Sequence, residues 1–184
     1  MRHLRILSGI LLPILVVSFT TQADNKYVGA KKCMACHKSE KLGGVAYTIW
    51  EKSAHAKAFK TLQSEEAQKI AKEKGLKAPA HESPECLKCH VAGGGTAKNV
   101  EATFKKEEGV TCEACHNAAS GYLSIHNKKT DADKAKAKAG GLVKLAKNEK
   151  SCTTCHNSES PSFKGFKFEE MWPKMEHSLP TKKK

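Results

Sequence analysis

The longest apolar run in the chain is at its start. Ile6 to Phe19 spans fourteen residues, broken only by Ser8, Gly9, Pro13 and Ser18, and Arg2, His3 and Arg5 precede it. Thr21-Gln22-Ala23 then fits the small-x-small rule for a cleavage site. The run falls short of the roughly 18–20 residues that cross a bilayer as a helix. The pattern therefore predicts a signal peptide over 1–23, cut after Ala23, rather than an uncleaved anchor. On that reading the mature chain, 24–184, has no stable membrane span and works in the periplasm.

Beyond residue 23 the apolar positions come in short groups. Val45 to Leu62 predicts a helix, with His55, Phe59 and Leu62 on one face. A second helix is predicted from Ser64 as N-cap, with Glu65 and Glu66 in its first turn and Gly75 just past its end. Pro79 and Pro84 interrupt the chain on either side of His81. Gly93-Gly94-Gly95 is a turn where backbone can approach another group closely. Val100–Val110 reads as a hairpin arm or a loop. Thr130–Lys150, rich in lysine and alanine, predicts an exposed helix interrupted at Gly140-Gly141, a solvated insert and not a site. Phe163, Phe166, Phe168 and Trp172 lead into a helix over Phe168–His177, kinked or restarted at Pro173. The tail, 181–184, is expected to be disordered. Strand patterning is almost absent. The fold class expected is mainly α with little β.

Composition makes this picture stranger. Aromatic residues are 6% of the chain and hydrophobic residues 39%, thin for an ordinary packed core, so something other than side chains must supply apolar bulk. Both arginines lie in the signal, and the mature chain carries thirty lysines against nineteen acids. Lysine without arginine fits nucleic-acid recognition poorly, because base and phosphate readout favours the planar guanidinium fork. A lysine surface suits an acidic redox partner, although a merely solvated face would account for part of it.

The cysteines identify the missing bulk. All eight fall in four copies of Cys-x-x-Cys-His: Cys33, Cys36 and His37; Cys86, Cys89 and His90; Cys112, Cys115 and His116; Cys152, Cys155 and His156. This is the pattern of c-type haem attachment. Two cysteines three positions apart can each form a thioether to one vinyl group of a porphyrin. The histidine that follows then ligates the iron from the proximal side. Paired cysteines also build zinc sites and disulfides, but neither needs a histidine directly after every pair. Four covalently attached haem c groups are expected, and their propionates would add about −8 to the charge, offsetting much of the lysine excess.

Each iron has a sixth position whose occupant sets its function. Beyond the proximal His37, His90, His116 and His156, the mature chain has four histidines left: His55, His81, His126 and His177. One per iron suggests bis-histidine ligation throughout. Met171 and Met175, spaced i and i+4, could serve as soft axial ligands but suit packing against haem or Phe168 better.

The runs Lys31 to His37, Ser53-Ala54-His55-Ala56-Lys57-Ala58, Gly109 to His116 and Phe166-Lys167-Phe168-Glu169-Glu170-Met171 resemble the tetrahaem cytochrome c-554 family, in the same motif order over most of the mature chain. The resemblance implies helices and loops wrapped around four packed haems, with crossed ligation between distant segments. His55 would cap the haem of the fourth motif, His126 that of the first and His177 that of the third. The haem of the second motif would be five-coordinate. His81 falls outside the family pattern and is a candidate distal ligand there, or a residue beside that iron. The chain is also shorter than the pattern between the third motif and the C-terminus.

The implied function is transfer of electrons between a redox protein donor and a redox protein acceptor in a respiratory chain. Two alternatives stand beside it. One is a redox enzyme acting on nitric oxide, nitrite, hydroxylamine or peroxide at an open second haem. The other is a subunit of a haem filament. No acid–base constellation marks a catalyst, so no catalytic residue is assigned and the carrier reading is favoured over an enzyme.

Overall fold

A computed structural model describes residues 24–95 and 98–178. The expected signal peptide and the lysine tail lie outside the described residues. Nine short α-helices follow one another within them: α1 (Ala30–His37), α2 (Ala46–Lys52), α3 (Ala58–Thr61), α4 (Glu65–Glu73), α5 (Pro84–His90), α6 (Cys112–His116), α7 (Asp131–Ala139), α8 (Lys150–Thr153) and α9 (Phe168–Met171). The only β pairing among the described residues is two isolated bridges, Tyr27 with Val100 and Ser39 with Gly44. The chain is mainly α.

Local chemistry explains several of these elements. Ser64 caps α4 as its spacing predicts, its Oγ accepting from the Ala67 amide at 3.2 Å. Thr130 does the same for α7 through the Asp133 amide. Pro84 opens α5 at a position where no amide hydrogen is needed. Three expectations need correction. The helix expected over Val45–Leu62 is broken at Ser53-Ala54 into α2, a 3-10 turn over His55–Lys57, and α3. At the break Ser53 turns extended (φ −78°, ψ 165°), its amide and hydroxyl both donating to the Trp50 carbonyl at 2.9 and 2.7 Å, a local bond that competes with a continuous helical ladder. The insert is helical only to Ala139, because the carbonyls of Gly140, Gly141 and Val143 are taken by side chains elsewhere. Phe168–His177 is likewise a single α turn followed by a 3-10 turn holding Pro173.

The interior is divided. Phe59, Leu62, Ala71, Ala80, Leu87 and Val91 form one buried cluster. Val28, Ala119, Tyr122 and Ala137 form a second, and Ala30, Tyr47 and Trp50 a third. Each is small, and each lies against one or more of the Cys-x-x-Cys-His segments. Polypeptide alone makes a thin core here, in line with the composition.

Candidate functional site

The four motifs share one local design. In a helix, positions i, i+3 and i+4 lie on one face. Helices α1, α5 and α6 contain both cysteines and the histidine of their motifs, so all three side chains share a side. The fourth motif begins in α8 and continues helically, the His156 amide donating to the Cys152 carbonyl at 3.0 Å. No two of the eight cysteines are bridged. Among the described residues no three cysteine, histidine or acidic side chains converge as a zinc site would. The thiols instead meet across motifs, Cys33 against Cys112 and Cys89 against Cys155. A cleft of about 400 Å³ between the second, third and fourth motifs has Cys89, Cys155, Gly93, Gly94, Glu113 and Asn117 in its wall, and Lys88 and Glu159 form an ion pair at its edge.

The histidines are brought together in pairs from distant parts of the chain. The rings of His37 and His126 lie 6.1 Å apart, centroid to centroid, with their planes 17° from parallel. His116 and His177 are 5.8 Å apart at 60°, and His55 and His156 are 5.9 Å apart at 70°. A metal between two imidazoles, with bonds of about 2 Å and roughly 1 Å more to each centroid, sets the rings about 6 Å apart. The spacing fits one iron per pair.

Tautomers agree with this. A carbonyl can only accept, so a histidine Nδ1 bonded to one carries the hydrogen, and in the neutral ring the free lone pair is then on Nε2. This is so for His37 on Gly43 (2.9 Å), His126 on Leu123 (2.9 Å), His116 on Val143 (2.7 Å), His177 on Met175 (2.9 Å) and His90 on Ala58 (2.8 Å). Among the described residues His55 and His156 lack such a bond, and His156 is instead stacked on Phe166 at 4.6 Å and 22°. Burial lowers the basicity of His37, His55, His116 and His156, which favours the neutral form that binds metals. The five acceptor carbonyls carry no sequence signal, which is why reading the chain misses them.

The second motif differs. No histidine ring stands against His90 among the described residues. His81 lies edge-on to Phe59, 6.5 Å away. Its Nε2 is 3.6 Å from a Glu82 oxygen, and its Nδ1 is buried with no partner. Met171 is partly exposed, its sulfur 3.5 Å from the Lys174 Nζ, and Met175 contributes its carbonyl to His177.

Two backbone features position these rings. Gly109 has φ +72°, and a Cβ there would stand 2.6 Å from the His55 carbonyl oxygen; only glycine lets the 109–110 segment clasp the His55 turn. Glu113, inside the third motif, is 1% exposed. Its carboxylate accepts from the amides of Val28 (2.9 Å), Gly29 (2.9 Å) and Ala119 (2.8 Å). It thus ties the N-terminal segment and the loop after His116 to the motif helix. Burial pushes its carboxyl up, and the three amides pull the other way.

A family model described as "Cytochrome c554 and c-prime" matches residues 32–117. "Cytochrome c-554" of Nitrosomonas europaea is 32% identical over 157 residues, 79% of this chain and 64% of that protein. The chain belongs to the cytochrome c-554 family. It spans somewhat less than two thirds of the length of the curated relative it matches. No solved structure matches it. Membership in the cytochrome c-554 family implies covalently bound haem c, and the paired imidazoles fit that group. No helix among the described residues is long and apolar enough to cross a membrane.

Proposed function

We propose that the chain is a periplasmic tetrahaem c-type cytochrome that carries electrons between redox proteins of a respiratory chain. The observation that carries this reading is the set of three facing histidine pairs at 5.8–6.1 Å, each joining a motif to a distant segment. Cys33 and Cys36, Cys86 and Cys89, Cys112 and Cys115, and Cys152 and Cys155 would attach four haems, with His37, His90, His116 and His156 as proximal ligands. His126, His177 and His55 would be the distal ligands of the first, third and fourth. When bound, haem supplies a one-electron iron couple. At three sites the paired histidines would hold the iron from both sides. That leaves no room there for a substrate and favours lower potentials than histidine–methionine ligation.

The thiol contacts Cys33–Cys112 and Cys89–Cys155 bring the first and third, and the second and fourth, attachment sites together. Sites in contact suit rapid exchange of electrons within the chain. The lysine excess suits partners with acidic docking surfaces.

A specific observation also favours a second reading, in which the iron held by His90 is five-coordinate and binds a small molecule such as nitric oxide. No second histidine ring faces His90, and His81 is turned to Phe59 and Glu82. Two measurements test the pair of readings. Mass spectrometry of the mature protein should give four haems per chain, and a lower number refutes the tetrahaem assignment. Ferric spectra should give three low-spin irons and one high-spin iron that responds to cyanide or nitric oxide. Four low-spin irons, one turned high-spin by His81→Ala, would assign His81 as the fourth distal ligand and remove the open site.

A further inference from the structure

The lysines are not spread evenly. Residues 128–150 hold eight of them (Lys128, Lys129, Lys134, Lys136, Lys138, Lys144, Lys147 and Lys150) against three acids, Asp131, Asp133 and Glu149. All eight are exposed. Few of these charges are neutralised. Asp131 pairs with Lys134 at 2.7 Å, and Lys147 pairs with Glu169. The Asp133 carboxylate is engaged by the Thr130 hydroxyl. Lys128, Lys129, Lys136, Lys138, Lys144 and Lys150 have no carboxylate within ion-pair distance among the described residues. A second lysine-rich stretch, residues 65–77 around α4, serves as an internal comparison. It has Lys69, Lys72, Lys74 and Lys77, but Glu65, Glu66 and Glu73 almost cancel them.

Lysine density alone would mark only a solvated face. This segment, however, is bound into the histidine framework. The Val143 carbonyl accepts from His116 Nδ1 at 2.7 Å, and the Gly141 carbonyl accepts from the Asn117 side chain at 3.1 Å. The Gly140 carbonyl accepts from Asn25 at 2.7 Å. Ala137 is 1% exposed and packs with Val28, Ala119 and Tyr122. The segment also begins two residues after His126, a member of the first pair. At its contact with His116 it presents an apolar point, the partly exposed Val143. Unneutralised positive charge in the same segment as an exposed apolar side chain, one hydrogen bond from His116, is the composition of a docking surface: charge steers the encounter and a small apolar contact seats it.

Resting on the carrier reading, we infer that residues 128–150 are the surface on which an acidic redox protein docks, at the His116–His177 site. The partner is recognised by clustered carboxylates that complement the unpaired lysines of this segment, and α4 takes no part.

The test uses the holoprotein and two reductants. Reduced plant-type ferredoxin is an acidic protein of low potential, and photoreduced lumiflavin is a small neutral molecule. Lys136→Glu/Lys138→Glu should slow reduction by ferredoxin about tenfold or more at low ionic strength, within the range of electrostatic steering, and should flatten its salt dependence. Lys136→Arg/Lys138→Arg should keep the wild-type rate. Lys69→Glu/Lys72→Glu on α4 should change it less than about threefold. Reduction by lumiflavin should be unchanged in all three. Equal slowing by the two glutamate variants overturns the docking assignment while leaving the carrier reading intact. So does slowing by lumiflavin in the arm variant, because the substitution would then act on the haem site itself. A wild-type protein that neither reductant reduces overturns the carrier reading.

Discussion

Replacing Glu113 by alanine removes the acceptor for three buried amides, those of Val28, Gly29 and Ala119. A buried donor left without a partner costs about 1–3 kcal/mol. Water entering the space would satisfy part of the loss, so a total of about 3–5 kcal/mol is expected. For a chain of this size each kcal/mol is worth about 2–4 °C in Tm, which puts the fall at roughly 6–20 °C. Far-UV circular dichroism of the holoprotein at neutral pH measures it. Glu113→Gln should fall between the two proteins, since its single oxygen keeps some of the amides while its NH2 group meets another donor. The pH dependence has a definite sign. An acid whose folded-state pKa is raised gives its full stabilisation below the unfolded value and loses it as pH rises through the folded value. Burial raises Glu113, so the gap between wild type and Glu113→Ala should narrow as pH climbs from about 4, near the unfolded glutamate value. An Ala variant melting within about 2 °C of wild type would refute the reasoning.

Other expectations rest on single residues. Gly109→Ala drives a methyl group to 2.6 Å from the His55 carbonyl at a backbone angle alanine avoids, and should destabilise the holoprotein by about 1–3 kcal/mol in denaturant titration. Asn117 has φ 66° and ψ 168° directly after His116, a region nearly confined to glycine. Asn117→Gly should therefore raise stability by about 0.5–1 kcal/mol in the same titration, net of the exposed bond to Gly141. His126→Ala should convert one low-spin ferric iron to high-spin while four haems stay attached; an unchanged spin count would exclude His126 as a ligand. The near-parallel rings of His37 and His126 and the crossed rings of His55 and His156 should give two distinct low-spin paramagnetic resonance signals, of which His126→Ala removes only the first.

What could be read from the chain beforehand depended on how local its cause was. The cap at Ser64 and the left-handed Gly75 are set by neighbouring residues, and both stand where the sequence puts them. The motif helices could have been found from the i, i+3, i+4 spacing of each Cys-x-x-Cys-His. The break before His55 could not, because a serine within a helical pattern does not announce that its backbone will turn extended with its amide and hydroxyl both on the Trp50 carbonyl. Glu113 has the look of an ordinary exposed acid inside a motif; its burial depends on the amides of Val28 and Gly29 arriving from the N-terminal segment. The 128–150 segment reads as a solvated insert for the same reason. Its carbonyls, invisible in a sequence, are what attach it to His116 and Asn117.

The crossed histidine pairs also bear on how such a protein is made. Their partners lie roughly 60 to 100 residues apart, closures of the non-local kind that form late. The three polypeptide clusters are too small to hold the chain closed by themselves. An exported chain would thus reach the attachment machinery still open, each Cys-x-x-Cys-His exposed on a short helix, and would lock shut only as the distal histidines arrive. Apoprotein that missed this step should remain loose and be cleared by proteases, so that quality control of haem loading is built into the topology.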